Sequence, residues 1–437
     1  MAKKANRRRR HADANQPDRL SALSDEVLLS ILSLLPIRVA ARTSVLCRRF
    51  RHLWKASPAI NLIDYDEYEY EEPEPKTKNS NFVAMVTSAL LRREPTNSLF
   101  RLHLFIAVDY TWNVSDSFLC SLLIKARSLG LRHLTLKTDN VGIPEAIIPT
   151  IFSIHSLHSL HLPIFYQFDY IPSDATLTHL KTLSLSSLRT CLAEIIQLLS
   201  QLPSLENLSI GFDRMDDYDD HPSLQNEYTL SSPTIRMLDL YIPSPEYVSL
   251  DLYLPLLEIL HLYIDIQYAP KLPCIEGDMP SLRKAVIVLR GIHKGDVAAV
   301  AQLLNCVSSA EELSLDIKES MDEMYPFPIL MKSSKDLPKF PGLKHLNVTM
   351  CFHKHNFDAI VTLLHHSPAL QSLKLVHTVS FYNFWKRFKR NKNDWRSMLP
   401  CTAREVYYTD LHLGRHRKEF MELVGNKCTP KLVEEDH

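Results

Sequence analysis

The chain has 437 residues, 45% of them hydrophobic, and its 50 basic and 50 acidic residues balance to a formal charge of zero. That length suits about two to three domains with a large core, and the neutral balance argues against a nucleic-acid or membrane-surface partner. Nine glycines, none in a Gly-x-Gly-x-x-Gly or Walker pattern, offer no phosphate-cradling loop, and no apolar run approaches the roughly 18 residues of a membrane helix.

Residues 1–17 form a basic tail with Lys3, Lys4 and Arg7 to Arg10 and no apolar stretch of a signal peptide. It reads either as a nuclear address or as a solvated tail, so the expected location is nucleus and/or cytoplasm. The eight cysteines are scattered and include no Cys-x-x-Cys pair. Free thiols in a reducing compartment are expected, not a disulfide framework or a zinc site.

Residues 18–60 carry the densest signal. Leu23, Val27, Leu28, Ile31, Leu32, Leu34 and Leu35 crowd a first helix, which Pro36 ends because proline cannot donate to the helical ladder. Val39, Ala40, Ala41, Val45 and Leu46 suit a second helix, and Phe50, Leu53 and Trp54 a third. About 37 residues cannot make a self-sufficient core, so the surplus apolar face must dock on another protein.

This stretch resembles the F-box, the adaptor-binding module of SCF-type ubiquitin ligases. The likeness runs through Leu23, Asp25-Glu26-Val27-Leu28, Ile31-Leu32, Leu35-Pro36 and the closing run Ala41 to Trp54, which is similar to the plant version. Ser24 replaces the family's usual proline and Phe50 its frequent tryptophan; Ser24 can still cap the helix that follows. The resemblance implies contact with a Skp-type adaptor through Leu23, Leu28, Ile31, Leu32, Leu35, Pro36, Val45 and Leu53. Some of these must be internal to the F-box, and the sequence does not sort them.

Residues 61–80 read as an acidic and polar linker, with Asp64 to Pro75 as its core. Residues 81–378 hold a repeat of the form Leu-x-x-Leu-x-Leu. Eleven copies run from Leu99/Leu102/Leu104 to Leu370/Leu373/Leu375, spaced 22 to 33 residues apart. Chance does not give that regularity. Residues two apart on a strand share a side, so the last two apolar positions of each triplet face one core. Helical patterns at Ser115–Arg127, Leu192–Leu199, Asp296–Cys306 and Asn356–His365 lie between triplets, while Gln167–Thr176 and Pro222–Pro245 look extended. The expected fold is α/β: a three-helix F-box followed by a parallel sheet lined by helices. This resembles the leucine-rich-repeat horseshoe of plant F-box proteins, with strands on its concave face and the F-box capping one end.

Residues 379–437 read as a C-terminal cap that weakly resembles the FBD region of plant F-box proteins. Arg404 to Tyr408 is expected as a last strand and Arg417 to Val424 as a helix. The cluster Lys386 to Lys392 beside Trp385 has a nucleic-acid-like mixture but no folded nucleic-acid motif around it. The acidic run Asp213 to Asp220 lacks the glycine and final glutamate of a calcium loop. His158/His161, His353/His355 and His365/His366 lack partner ligands at metal-site spacing, and no metal or cofactor is expected. No nucleophile–base signature is visible, so no catalytic residue is assigned.

The family resemblance implies a non-catalytic substrate receptor, joined through the adaptor to a cullin and a RING protein and holding a protein target. Two alternatives stay open: a non-degradative repeat scaffold, and a small-molecule co-receptor of the plant hormone-receptor type. Most residues between paired leucines are polar. In the middle of the array, however, Met237, Asp239 and Tyr241 lie beside Ile259, His261 and Tyr263, with Val288 following. These are the candidate target contacts; the alternative is that an irregular register turns Met237 and Ile259 into the core.

Overall fold

The computed structural model describes residues 20, 22–62, 84–106, 115–138, 143–162, 177–188, 192–212, 227–243, 249–266, 272–292, 296–319, 337–350, 363–377, 405–409 and 429–433. The linker core, the acidic run at 213–220, the basic cluster at 386–392, His353, His355 and the expected helix at 417–424 lie outside these residues. So do segment 167–176 and most of 356–365. The chain divides into two compact units, residues 1–157 and 158–437.

The first unit opens with helices α1 (Asp25–Leu32), α2 (Ile37–Arg42) and α3 (Phe50–Leu53). Strands β1 (Ala59–Leu62), β2 (Arg101–Ile106) and β3 (His133–Thr138) follow, all parallel. The sheet therefore starts before the first triplet, at the junction read as F-box end and linker, because Ile60 and Leu62 alternate into the same core as Leu102 and Leu104. Arg93 ties this junction together. Its Nη2 donates to the carbonyls of Ser57 and Ser98, both at 2.7 Å, and its Nε to that of Asn97 at 2.8 Å. Burial pushes the guanidinium down to about 10, so it stays charged at neutral pH.

Helix α4 (Asp116–Ser128) returns the chain from β2 to β3. Ser115 caps its start, accepting from Phe118 N, and Leu119, Leu122, Leu123 and Ala126 bury one face at helical spacing. Gly130, at φ 79, stops it. Gly130 N donates to Arg127 O and Leu131 N to Ala126 O, a Schellman closure that delivers the first leucine of the next triplet into the core.

In the second unit β4 (Ser159–Leu162), β5 (Thr182–Leu188), β6 (Asn207–Phe212), β8 (Met237–Ile242), β10 (Ile259–Asp265) and β12 (Lys284–Ile292) are neighbours in chain order. They continue through β13 (Glu312–Glu319), β14 (His345–Met350), β15 (Ser372–His377), β16 (Glu405–Thr409) and β17 (Thr429–Val433). Each pair is parallel, which requires a return connection between successive strands. Residues 405–409 form the strand expected there, with β17 beyond it. Every triplet residue whose side chain is described is buried. The triplets stack in register, as in Leu183↔Leu208↔Leu238↔Leu260.

The outer layer is uneven, as the extended pattern within 222–245 leads one to expect, and the unevenness reaches further, to strands at 249–253 and 274–278. Helix α6 (Leu192–Leu199) and helix α7 (Val297–Cys306) occupy it on either side, with α5 (Ile148–Phe152) in the first unit. Between β6 and β12 the returns are strands instead: β7 (Glu227–Ser231), β9 (Ser249–Tyr253) and β11 (Cys274–Asp278), which form a second parallel sheet. Leu250, Leu252 and Leu254 alternate at period two, and all three are buried. Gly277 permits the close approach of β11 to β9, since a Cβ there would collide with the Leu252 carbonyl.

A second ladder runs along the strand entries. In the seven triplets from Leu180 to Leu343 the residue after the first apolar position reads Lys181, Glu206, Arg236, Glu258, Arg283, Glu311, Lys344, alternating in sign. From Glu206 onward each backbone N–H donates to the carbonyl of its predecessor at 2.7–2.9 Å. Side chains pair across the turns: Lys181 with Glu206 at 2.7 Å, Arg236 with Glu258 at 2.5 Å and Lys344 with Glu311 at 2.8 Å. These exposed pairs contribute little singly, but their alternation penalises a slipped stacking order.

Candidate functional site

Two surfaces carry the sequence-assigned residues. The first is the helical unit at the N-terminus. Ser24 caps α1, its Oγ accepting from Val27 N at 3.5 Å, with Asp25 and Glu26 in the first turn. Arg49 Nε reaches Asp25 Oδ1 at 2.6 Å and pins the entry of α3 to the start of α1. Leu28 and Leu32 point inward, 1% and 2% exposed, and Ile37, Ala40 and Phe50 are buried as well.

The eight residues assigned to the adaptor thus fall into three groups. Leu28 and Leu32 are interior. Leu23, Leu35, Pro36 and Leu53 are half-buried. Ile31 and Val45 are exposed, Val45 at 86%. The structure adds residues that the sequence reading did not assign: Val27, Val39, Leu34 at 77% and Leu46 at 60% exposure. The signal for them was present, since Leu34 and Leu46 sit where the helices end and no further turn can cover them. Together these side chains make an exposed apolar patch on the helical region.

The second surface is the face of the second unit's sheet opposite the triplets. Register places Met237 beside Ile259, Asp239 beside His261 and Tyr241 beside Tyr263, and Val288 beside Tyr263. Met237 and Ile259 are half-buried on this face, alternating with the interior Leu238 and Leu260. The Tyr241 and Tyr263 rings stack, with centroids 4.5 Å apart and planes at 27°. Arg290 lays its guanidinium over the Tyr263 ring, 5.1 Å from the centroid. Ser209 Oγ donates to Asp239 Oδ2 at 3.3 Å. Towards lower strand numbers the face becomes polar, with Ser184, Ser209 and His161. Ser159 Oγ meets His161 Nε2 at 2.9 Å, and burial lowers the pKa of that imidazole.

Towards β15 the same face opens into a cleft of roughly 460 Å³ between Lys284, Glu312, His345, Asn347 and Lys374. Asn347 Nδ2 donates to Ser314 Oγ at 3.1 Å, while its Oδ1 is buried without a partner. The face as a whole is therefore an apolar, aromatic band between two polar fields. Among the described residues it brings no nucleophile together with a base and an oxyanion donor set. Among the described residues, likewise, no group of three or more histidine, cysteine, aspartate or glutamate side chains could hold a metal ion. No helix there is long and apolar enough to cross a membrane.

Comparison with known proteins agrees with this division. Residues 20–59 match the family model of the F-box domain. An F-box/FBD/LRR-repeat protein of Arabidopsis thaliana is 28% identical over 366 residues, covering 82% of this chain and 77% of the relative. An FBD-associated F-box protein of the same plant is 28% identical over 425 residues, 94% of this chain and 97% of the relative. Another FBD-associated F-box protein is 27% identical over 362 residues, 82% of this chain and 77% of the relative. The chain thus carries an F-box domain followed by stacked leucine repeats, and over most of its length it is similar to the plant F-box/FBD/LRR-repeat proteins.

Proposed function

We propose that this protein is the substrate-recognition subunit of an SCF-type cullin-RING ubiquitin ligase. The observation that carries the reading is the apolar surface of the F-box, centred on Val45, Leu46 and Leu34, on a unit whose own core is already filled by Leu28, Leu32, Ile37 and Phe50. A Skp-type adaptor covers that surface. Ile31 and Val45, joined by Val27, Leu34, Val39 and Leu46, make the contact; Leu23, Leu35, Pro36 and Leu53 support it from the rim. Leu28 and Leu32 act indirectly, by holding the helices. Through the adaptor come the cullin and RING protein, in nucleus or cytoplasm.

The repeats stack into a solenoid, and the sheet face opposite the leucines holds the protein target through Met237, Asp239, Tyr241, Ile259, His261 and Tyr263. Tyrosine suits this use because it offers a large rigid ring with a polar tip. The chain itself contributes proximity: it raises the effective concentration of a target lysine near the ubiquitin thioester held by the partners.

Affinity capture of the full chain, co-expressed with a Skp-type adaptor under proteasome inhibition, tests this. Adaptor, cullin and a stabilised target are expected together. A folded full chain that captures no adaptor overturns the ligase reading, and a target whose level does not rise on loss of the chain turns it into a scaffold.

A further inference from the structure

Among the described residues, the Tyr241–Tyr263 stack is closed at one end and open at the other. At the closed end the chain supplies its own cation, Arg290, over the Tyr263 ring. At the open end the strand neighbour of Tyr241 on β6 is Gly211. Adjacent strands lie about 4.8 Å apart and paired residues share a face, so a side chain at this position would stand over the outer face of Tyr241. Glycine provides none. Tyr241 accordingly remains 37% exposed, in the middle of a face whose other ring is half-buried.

Charge next to this opening is negative. Asp239 precedes Tyr241 by two residues on β8, on the same face, and its only described hydrogen bond is the 3.3 Å contact from Ser209 Oγ. No ion pair among the described residues engages it. A ring face draws cations through its quadrupole, most strongly when partly desolvated, and a planar guanidinium both stacks on the ring and bonds a carboxylate with its fork of donors. An ammonium is drawn to the ring and to the carboxylate, but it can neither stack flat nor present a fork of donors. The Arg290–Tyr263 contact shows the same chemistry already in use one ring away.

We propose that the open face of Tyr241 receives the guanidinium of an arginine from the bound target, with the Asp239 carboxylate as its counter-charge. The target's arginine completes a four-layer stack in which a cation lies at each end of the tyrosine pair. Met237 and Ile259, in the first row of the same face, take apolar residues beside that arginine. This rests on the reading of the sheet face as the target surface.

The test uses the full chain and immobilised capped peptides, acetyl-Gly-Leu-X-Leu-Gly-amide, with X as arginine, lysine, citrulline, tyrosine or glutamate. The arginine peptide is expected to be retained about fivefold or more above the citrulline peptide, its neutral isostere, as a cation–ring contact of ordinary strength implies. Lysine should fall between them. Asp239→Asn should weaken arginine retention, and Gly211→Arg, which fills the slot from within, should bring it to the citrulline level at an unchanged melting temperature. Citrulline, tyrosine or lysine retained as well as arginine overturns the proposal, and so does retention of none. If arginine carries no preference but Tyr241→Ala/Tyr263→Ala releases every peptide, the target surface stands without the arginine. Peptides held equally by wild type and that double variant overturn both.

Discussion

Tyr241 and Tyr263 occupy the same register position on adjacent parallel strands, and their rings stack 4.5 Å apart on the side of the sheet away from the leucine core. An aromatic pair of this kind contributes about 0.5–1.5 kcal/mol beyond its buried area. Neither ring fills a cavity, so Tyr241→Ala with Tyr263→Ala should lower the melting temperature by only a few degrees while sharply reducing target capture. Adaptor capture should not change. Retention of target by the double variant in an affinity capture would mean that the pair serves stability alone.

The F-box offers a sharper separation. Val45→Arg changes an exposed position and should abolish adaptor capture with no loss of helicity. Leu32→Ala removes a side chain that is 2% exposed and should cost about 2–5 kcal/mol, unfolding the helical unit before it touches the interface. Circular dichroism beside adaptor capture distinguishes these outcomes. An adaptor that binds Val45→Arg normally would exclude the ridge around Val45 and Leu46.

Arg93 should behave as a structural cross-link. Arg93→Ala removes the donors to Ser57, Asn97 and Ser98 and leaves their carbonyls short of partners, a loss expected at about 3 kcal/mol or more. Arg93→Lys keeps the charge but not the fork, so it should recover less than half. Chemical denaturation of the first unit's transition measures both; full recovery by lysine would show that charge, not geometry, holds the junction.

Acidification should act in two windows. Burial lowers the His161 pKa below its ordinary 6.5, so the unfolded chain takes up the proton first and stability falls as the pH drops below 6.5. The hydrogen bond and charge of Lys344 lower the Glu311 pKa below 4.5, so that contribution is full at neutral pH and is lost as the pH falls through and below 4.5. With melting temperatures taken from pH 7.5 to 3.5, Glu311→Gln should converge with wild type as the pH falls through and below 4.5, whereas His161→Asn, which carries no buried imidazole to protonate, should gain on wild type as the pH drops below 6.5. Parallel curves at all pH values would remove both groups from the acid response.

The alternating charge ladder yields a reciprocal test. Lys181→Glu alone places like charges beside Glu206 and should destabilise by less than about 1 kcal/mol. Adding Glu206→Lys restores the pair but sets the introduced ammonium beside Arg236, so the double swap should recover only part of the loss, more fully at high salt. Complete recovery at low salt would mean that the pairs act independently and not as a ladder.

The triplets could be read from the chain because every repeat places leucines at the same two alternate positions, and alternation is a local property of a strand. Their register follows from the same fact: shifting one strand by a residue would move Leu208 or Leu260 from the core to the outer face. The F-box was legible because its apolar residues outnumber what its length can bury. Local pattern also contained more than was drawn from it. Ser249 to Leu254 alternates at period two, and the charge ladder is written in residues 181 to 344.

Other features depend on what each element meets in space. Leu28 and Leu34 lie six residues apart, yet one is 1% and the other 77% exposed, because Leu28 is on the face of α1 turned to the interior and Leu34 is in the turn beyond the helix end. The sequence reports which residues share a face, not which face another element covers. Strands β7, β9 and β11 replace outer helices because three consecutive returns can pair with one another, a condition no single return reveals. The Tyr241–Tyr263–Arg290 stack arises the same way. Its three members lie 22 and 27 residues apart in the chain, and only the parallel pairing of β8, β10 and β12 brings their side chains to one edge of the sheet face.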